Sequence, residues 1–218
     1  MPTPTTAATP RPATGPAAPT AAEGAAPGPH RGRRAPVHEQ TVGGFGTVRI
    51  VPVDPERDAG LLHGWVTEER ARFWGMGDAD RERVLEIYSY LDSLTTHHAY
   101  LVYRDDTPVA LFQTYLPEAD PIGDHYDVRP GDFGVHLLIG PADGAREPGF
   151  TGALLTVFLT FVLADPARKR IVIEPDARNE KAIARVVRAG FTLGPQIDLP
   201  EKRAQLAFLE RERVVLPG

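Results

Sequence analysis

His136 and Asp176 are the residues whose types and settings best suit proton transfer. His136 lies in Asp132-Phe133-Gly134-Val135-His136-Leu137-Leu138-Ile139. As a strand, this run turns Asp132, Gly134, His136 and Leu138 to one side and Phe133, Val135, Leu137 and Ile139 to the other. His136 thus falls on the less apolar face, where an imidazole can take a proton from a nucleophile; a satisfied core histidine is the other use of such a position. Asp176 stands in Glu174-Pro175-Asp176-Ala177-Arg178-Asn179-Glu180, where it also suits a helix cap. If the strands bearing the two residues are parallel neighbours, both face one crevice, base beside orienter, with a ligand between the strands. A third feature, Arg146-Glu147-Pro148-Gly149-Phe150-Thr151, fits a diphosphate: Arg146 supplies charge, Gly149 close backbone approach, and the following helix its N-terminal amides. The same hexapeptide also reads as an ordinary loop in which Pro148 and Gly149 start a helix.

The elements that would position these residues follow from periodicity. Thr47-Val-Arg-Ile-Val-Pro-Val53 reads as the first strand. Two helices follow, one with Leu61, Leu62, Trp65 and Val66 on a face, the next with Val84, Ile87, Tyr88, Leu91 and Leu94. Residues 100–103 and 109–115 predict a hairpin turning at 104–108, and the fourth strand is 132–139. A heavily apolar helix over about 149–164 leads to a fifth strand at 170–174 and a helix ended by Gly190. Residues 191–193 and 203–209 read as closing strands. The pattern is α/β (α+β), one domain over 45–218.

Residues 1–40 hold nine of the 22 prolines and ten alanines but no aromatic residue, so a disordered tail is expected, extending to 44. The absence of cysteine excludes disulfides and any acyl-cysteine intermediate, and the seven histidines include no His-x-x-x-His pair, so no metal is expected. A net charge of -5 without a basic stripe in the folded region argues against nucleic acid. No apolar run approaches membrane-spanning length and no secretory leader is visible. The expectation is a cytoplasmic protein acting on small molecules, as a monomer or weak homodimer.

Beyond these derivations the chain resembles the GCN5-related N-acetyltransferase (GNAT) family, over about 48–213, and within it the siderophore-biosynthesis branch that acylates N-hydroxylated amines such as N-hydroxycadaverine in desferrioxamine assembly. The motifs that carry the likeness are Phe73-Trp74-Gly75-Met76, the segment 131–138, Pro148-Gly149-Phe150-Thr151, Ile173-Glu174-Pro175-Asp176-Ala177-Arg178-Asn179, Ala189-Gly190-Phe191 and Leu199-Pro200-Glu201-Lys202. The resemblance implies a GNAT fold, a mixed central β-sheet splayed between strands 4 and 5 with flanking helices. It also implies acyl-CoA (acetyl-CoA or succinyl-CoA) as co-substrate, with no permanently bound cofactor. The pantetheine arm would pair with Leu137, Leu138 and Ile139, and the diphosphate would meet Arg146, Gly149, Phe150 and Thr151, with Asn179 nearby. Thr151 departs from the Gly or Ala usual at that position. His136 and Asp176 fall on the branch's catalytic His and Asp. Trp74 and Gln113 would contact the acceptor, Trp74 by donating its indole N–H to the N-hydroxyl, unless it is a core or lid aromatic. Lys202 would meet a phosphate or a succinyl carboxylate, or stand solvated. Acetylation of an ordinary primary amine and an idle acyl-CoA-binding domain are the competing readings.

Overall fold

The computed structural model describes residues 34–142 and 147–214. Its elements are β1 (His38–Val42), β2 (Gly46–Pro52), α1 (Pro55–Val66), α2 (Arg81–Asp92), β3 (His97–Arg104), β4 (Thr107–Tyr115), β5 (Asp132–Ile139), α3 (Phe150–Leu163), β6 (Arg170–Ile173), α4 (Glu180–Arg188), β7 (Thr192–Asp198) and β8 (Arg203–Glu210). Short 3-10 turns occupy Glu69–Trp74 and Pro121–His125. The strands form one eight-stranded sheet in the order β1-β2-β3-β4-β5-β6-β8-β7.

Alternation along the strands divides the core. Ile50, Val102, Phe112 and Phe133 pack with Leu154, Val157, Phe158 and Val162 of α3. On the opposite face Val53, Leu101, Leu111 and Leu138 pack with Leu62, Trp65, Val84 and Tyr88 of α1 and α2. His136 and Gln113 share the alternation of Leu138 and Leu111, so they face the α1/α2 side. α3 is apolar nearly all round because β5 and the neighbouring strands cover it; Phe158 stacks on Phe112 with centroids 4.4 Å apart.

Among the described residues the only parallel pairing is β5 with β6, and it is brief: Asp132 opposes Arg170, Phe133 opposes Ile171, and Gly134 opposes Val172. β5 then continues to Ile139 against β4 alone, while β6 stays with β8. The sheet therefore parts between β5 and β6, at the junction expected between the fourth and fifth predicted strands.

One expectation is corrected. Residues 38–42, placed in the tail, form edge strand β1, paired from His38↔Ile50 to Val42↔Gly46. Composition hides it because backbone ladder bonds and an ion pair, rather than buried apolar area, hold the segment. A glycine turn with Gly44 at φ +71° joins β1 to β2, and Arg34 grips Asp58 of α1 through two hydrogen bonds of 2.6 and 2.9 Å. Residues 1–33 lie outside the described residues.

Candidate active site

The site forms at the root of the cleft. Parallel register sets residue 132 beside 170 and 134 beside 172, so two residues further on His136 is level with Glu174, and both side chains take the same face. The imidazole Nε2 hydrogen-bonds the Glu174 carboxylate Oε1. Glu174 is nearly buried, its side chain 5% exposed, whereas that of His136 is 34% exposed and open to the cleft. Oε1 also accepts from Lys202 Nζ at 3.3 Å, and Oε2 accepts from the Tyr115 hydroxyl at 2.7 Å. Burial by itself would raise the Glu174 pKa; the charge and hydrogen bond of His136, then Lys202 and Tyr115, outweigh it and hold the carboxyl at about 2. An ionised Glu174 is an acceptor only, so Nε2 carries the proton of the pair and Nδ1 is left as the basic nitrogen.

Nδ1 faces the Gln113 carbonyl oxygen Oε1 at 3.3 Å, an acceptor that receives a hydrogen bond once Nδ1 has taken up a proton, and Gln113 Nε2 donates to the Tyr88 hydroxyl at 3.4 Å. Gln113 is opposite His136 because β4 pairs with β5 at that position. Tyr88 is buried, which raises its pKa, an effect that the neighbouring Trp74 side chain partly offsets. Trp74 meets the His136 ring edge-on, centroids 6.2 Å apart.

Asp176 does not join His136 as expected. Pro175, Asp176 and Ala177 continue along β8: Gln205 N–H donates to Pro175 O, Ala177 N–H donates to Arg203 O, and Asp176 bridges Ala204. This draws the segment away from β5. The Asp176 carboxylate is bound by Arg178 through Nε at 2.9 Å and Nη2 at 2.7 Å, and by its backbone N–H at 2.8 Å. That grip lowers its pKa. Arg178 in turn lies over Phe73, 5.7 Å from the ring centroid. Asn179 caps α4, its Oδ1 accepting from Ala182 N–H at 3.1 Å.

The cofactor candidates divide by backbone direction. Gly140 N–H donates to Val109 O on β4; by alternation the amides of Leu138 and His136 also point to β4, and those of Leu137 and Ile139 point into the cleft. Leu138 therefore offers its side chain to the core and no free amide, which corrects that expectation. The Ile139 carbonyl is taken by Arg70 Nη1 from the 3-10 turn. Gly149 starts α3 at φ +83° with no side-chain cap among the described residues and no acidic residue in the first turn, where Thr151 lies. Phe150 packs edge-on against Phe45, and its N–H donates to Glu147 O at 3.3 Å. Arg146 lies outside the described residues. Lys202 is set by the turn between β7 and β8, where Leu199 and Lys202 exchange backbone hydrogen bonds; it serves Glu174 rather than standing solvated.

Glu174 and Tyr115 are the residues that motif reading missed. The signal was the 132/170 pair of opposite charges: once Asp132 and Arg170 are taken as partners, the same offset sets His136 against Glu174.

Residues 54–199 match a family profile described as an acetyltransferase (GNAT) domain. The chain is 30% identical over 163 residues to an N(6)-hydroxylysine O-acetyltransferase of Escherichia coli, covering 72% of this chain and 50% of that protein. It is 28% identical over 158 residues to the N(5)-hydroxyornithine:cis-anhydromevalonyl coenzyme A-N(5)-transacylase SIDF of Beauveria bassiana (strain ARSEF 2860), covering 70% and 34%. It thus spans half or less of these two curated relatives. Among solved structures, an uncharacterized protein of Bacillus halodurans superposes with a TM-score of 0.73 at 23% identity, covering 82% of this chain and 93% of that one. The aminoglycoside acetyltransferase AAC(6')-Ib in complex with ribostamycin and coenzyme A gives 0.66 at 20%, covering 76% and 94%. The parted sheet and the profile match over most of the chain agree: this chain belongs to the GNAT acetyltransferase family.

Proposed function

We propose that the protein is an acyl-CoA-dependent N-acyltransferase that converts an N-hydroxylated amine, N-hydroxycadaverine, to a hydroxamate for siderophore assembly of the desferrioxamine type. The observation that carries this reading is the His136–Glu174 pair at the root of a cleft whose β5 edge offers the Leu137 amide and whose far end carries the uncapped start of α3. The thioester arm would lie along β5 with its phosphates at Gly149, Thr151 and Arg146. The hydroxylamine nitrogen attacks the thioester carbon directly; the N–C bond forms, the C–S bond breaks, and the proton lost by nitrogen passes to His136 Nδ1 and on to the departing thiolate. A hydroxylamine is uncharged near neutrality, so the base need only remove the proton as the bond forms, a contribution of roughly 10²–10⁴ in rate. Glu174 takes the orienting role first given to Asp176; Asp176 and Arg178 shape the opposite wall. Gln113 and the Trp74 ring line the acceptor side. The relatives' printed names, hydroxylysine and hydroxyornithine among them, support an N-hydroxylated acceptor.

The test is thiol release with cadaverine, N-hydroxycadaverine and N-hydroxylysine, each offered acetyl-CoA and succinyl-CoA. N-hydroxycadaverine should be preferred over cadaverine by a factor of up to about 10⁴, the discrimination available to a site that pairs a hydroxyl. Equal rates for the two would replace this reading with acetylation of ordinary amines, and a preference for N-hydroxylysine would move the acceptor to an amino-acid skeleton.

A further inference from the structure

Tyr115 is a buried phenol with no part in the transfer chemistry, yet it is held from every side. Its ring lies flat on Gly134: a Cβ added there would fall 2.1 Å from Cζ and 2.2 Å from Cε2. On its other side His97 stacks at an interplanar angle of 16°, centroids 5.9 Å apart. His97 is itself fixed by Asp120 at 3.2 Å and Thr96 at 2.9 Å. The His136 ring is 5.0 Å away. The outcome of these constraints is a single hydrogen bond, from the Tyr115 hydroxyl to Glu174 Oε2.

We infer that Tyr115 is a positioning residue that fixes the plane of the Glu174 carboxylate, so that Oε1 meets His136 Nε2 and the imidazole presents Nδ1 as its basic nitrogen. A carboxylate on a two-carbon arm can rotate about its last bond; a donor pinned at Oε2 stops that rotation, and Lys202 on Oε1 does not, because a flexible ammonium follows the oxygen it meets. Burial and the neighbouring carboxylate keep the Tyr115 pKa well above its ordinary value, so the phenol stays a donor across the working range. Gly134 is required for the same reason, since any side chain there lifts the ring. His97 is the far jaw of the clamp.

The catalytic consequence rests on the acyl-transfer reading above; the tautomer does not. In Tyr115→Phe, which keeps the ring, kcat should fall about 10- to 100-fold, the loss expected for a hydrogen bond to a charged group, while KM for acyl-CoA stays within about twofold. The acid limb of the kcat profile should move to higher pH, because a donor to the ionised carboxylate has been removed. Added to Glu174→Gln, the same substitution should change kcat by less than about twofold, since its effect passes through Glu174. Nitrogen-15 NMR of the unmodified protein should show His136 protonated at Nε2, a readout that needs neither turnover nor a variant. The Nδ1-protonated tautomer, or a full additional loss on the Glu174→Gln background, overturns the inference. If the tautomer is as stated but no hydroxylamine is acylated, the positioning stands and the proposed reaction falls.

Discussion

Arg170 and Asp132 close the root of the cleft with two parallel hydrogen bonds, Nε to Oδ1 at 2.7 Å and Nη2 to Oδ2 at 2.6 Å. Both side chains are buried, and Asp132 also accepts from the Tyr126 hydroxyl and Arg129 N–H. This pair stands at the first of the three positions joining β5 to β6, on the same face as His136 and Glu174. Asp132→Asn leaves a buried guanidinium half-matched. The expected loss is about 3–5 kcal/mol in denaturant titration, as for other broken buried pairs, with reduced activity because the offset behind the His136–Glu174 contact is loosened.

His136→Ala should lower kcat/KM by roughly 10² or more while acyl-CoA binds as before, because the base is removed and the β5 backbone is untouched. Steady-state kinetics beside calorimetric titration of acetyl-CoA separates the two effects. An equal loss of binding would make His136 a donor-site residue instead of the base.

Gly134→Ala should reproduce the Tyr115→Phe phenotype by a different route. The new methyl overlaps the Tyr115 ring, so the phenol must leave Glu174 or the strands must shift, and overpacking of this kind destabilises by about 1–3 kcal/mol. A melting curve and the tautomer of His136, measured on the same sample, check both halves.

Glu174 gives the fold a defined acid sensitivity. Its carboxyl is held at about 2 against an ordinary 4.5, so ionisation is favoured by folding. The stabilisation is fully present above about 4.5 and is lost as pH falls from there through about 2. Urea midpoints of the parent and Glu174→Gln should therefore differ most near neutrality and converge as pH drops. A gap that holds constant down to pH 3 contradicts the assignment.

Removal of residues 1–33 should leave Tm and activity unchanged, since that stretch lacks the apolar area to pack. Removal of residues 1–43 takes away Arg34 and β1, stranding Asp58 inside and exposing the β2 edge. Tm should then fall by several degrees, at about 2–4 °C per kcal/mol lost in a domain of this size. Scanning calorimetry of the two truncations locates the true boundary.

Periodicity alone located β5, α3 and the glycines that punctuate α3 and α4, because these segments bury one or both faces and their residue pattern reports it. The partner of His136 was not legible in the same way. Asp176 looked right as an acid directly after a strand and ahead of a helix, but whether a residue two places along a strand points to a cleft depends on pairing, and β8 carries Asp176 off. Glu174 was read as the end of a strand, and Tyr115 and Tyr88 as apolar members of their elements; their hydroxyls acquire meaning only when the sheet brings β4, β5, β6 and α2 together.

The brevity of the β5/β6 pairing bears on how such a chain can change over generations. The contact between His136 and Glu174 is fixed by three residue pairs, while the whole crossover from Ile139 to Arg170, α3 included, departs and returns outside them. Insertions or deletions in that crossover alter the phosphate end of the cleft and leave the proton-transfer pair in register. A single residue gained or lost between Asp132 and His136, or between Arg170 and Glu174, turns one member of the pair to the opposite face. Tolerance to length change is therefore sharply uneven along this stretch of sequence, wide in the loop and absent in the two short strand segments that flank it.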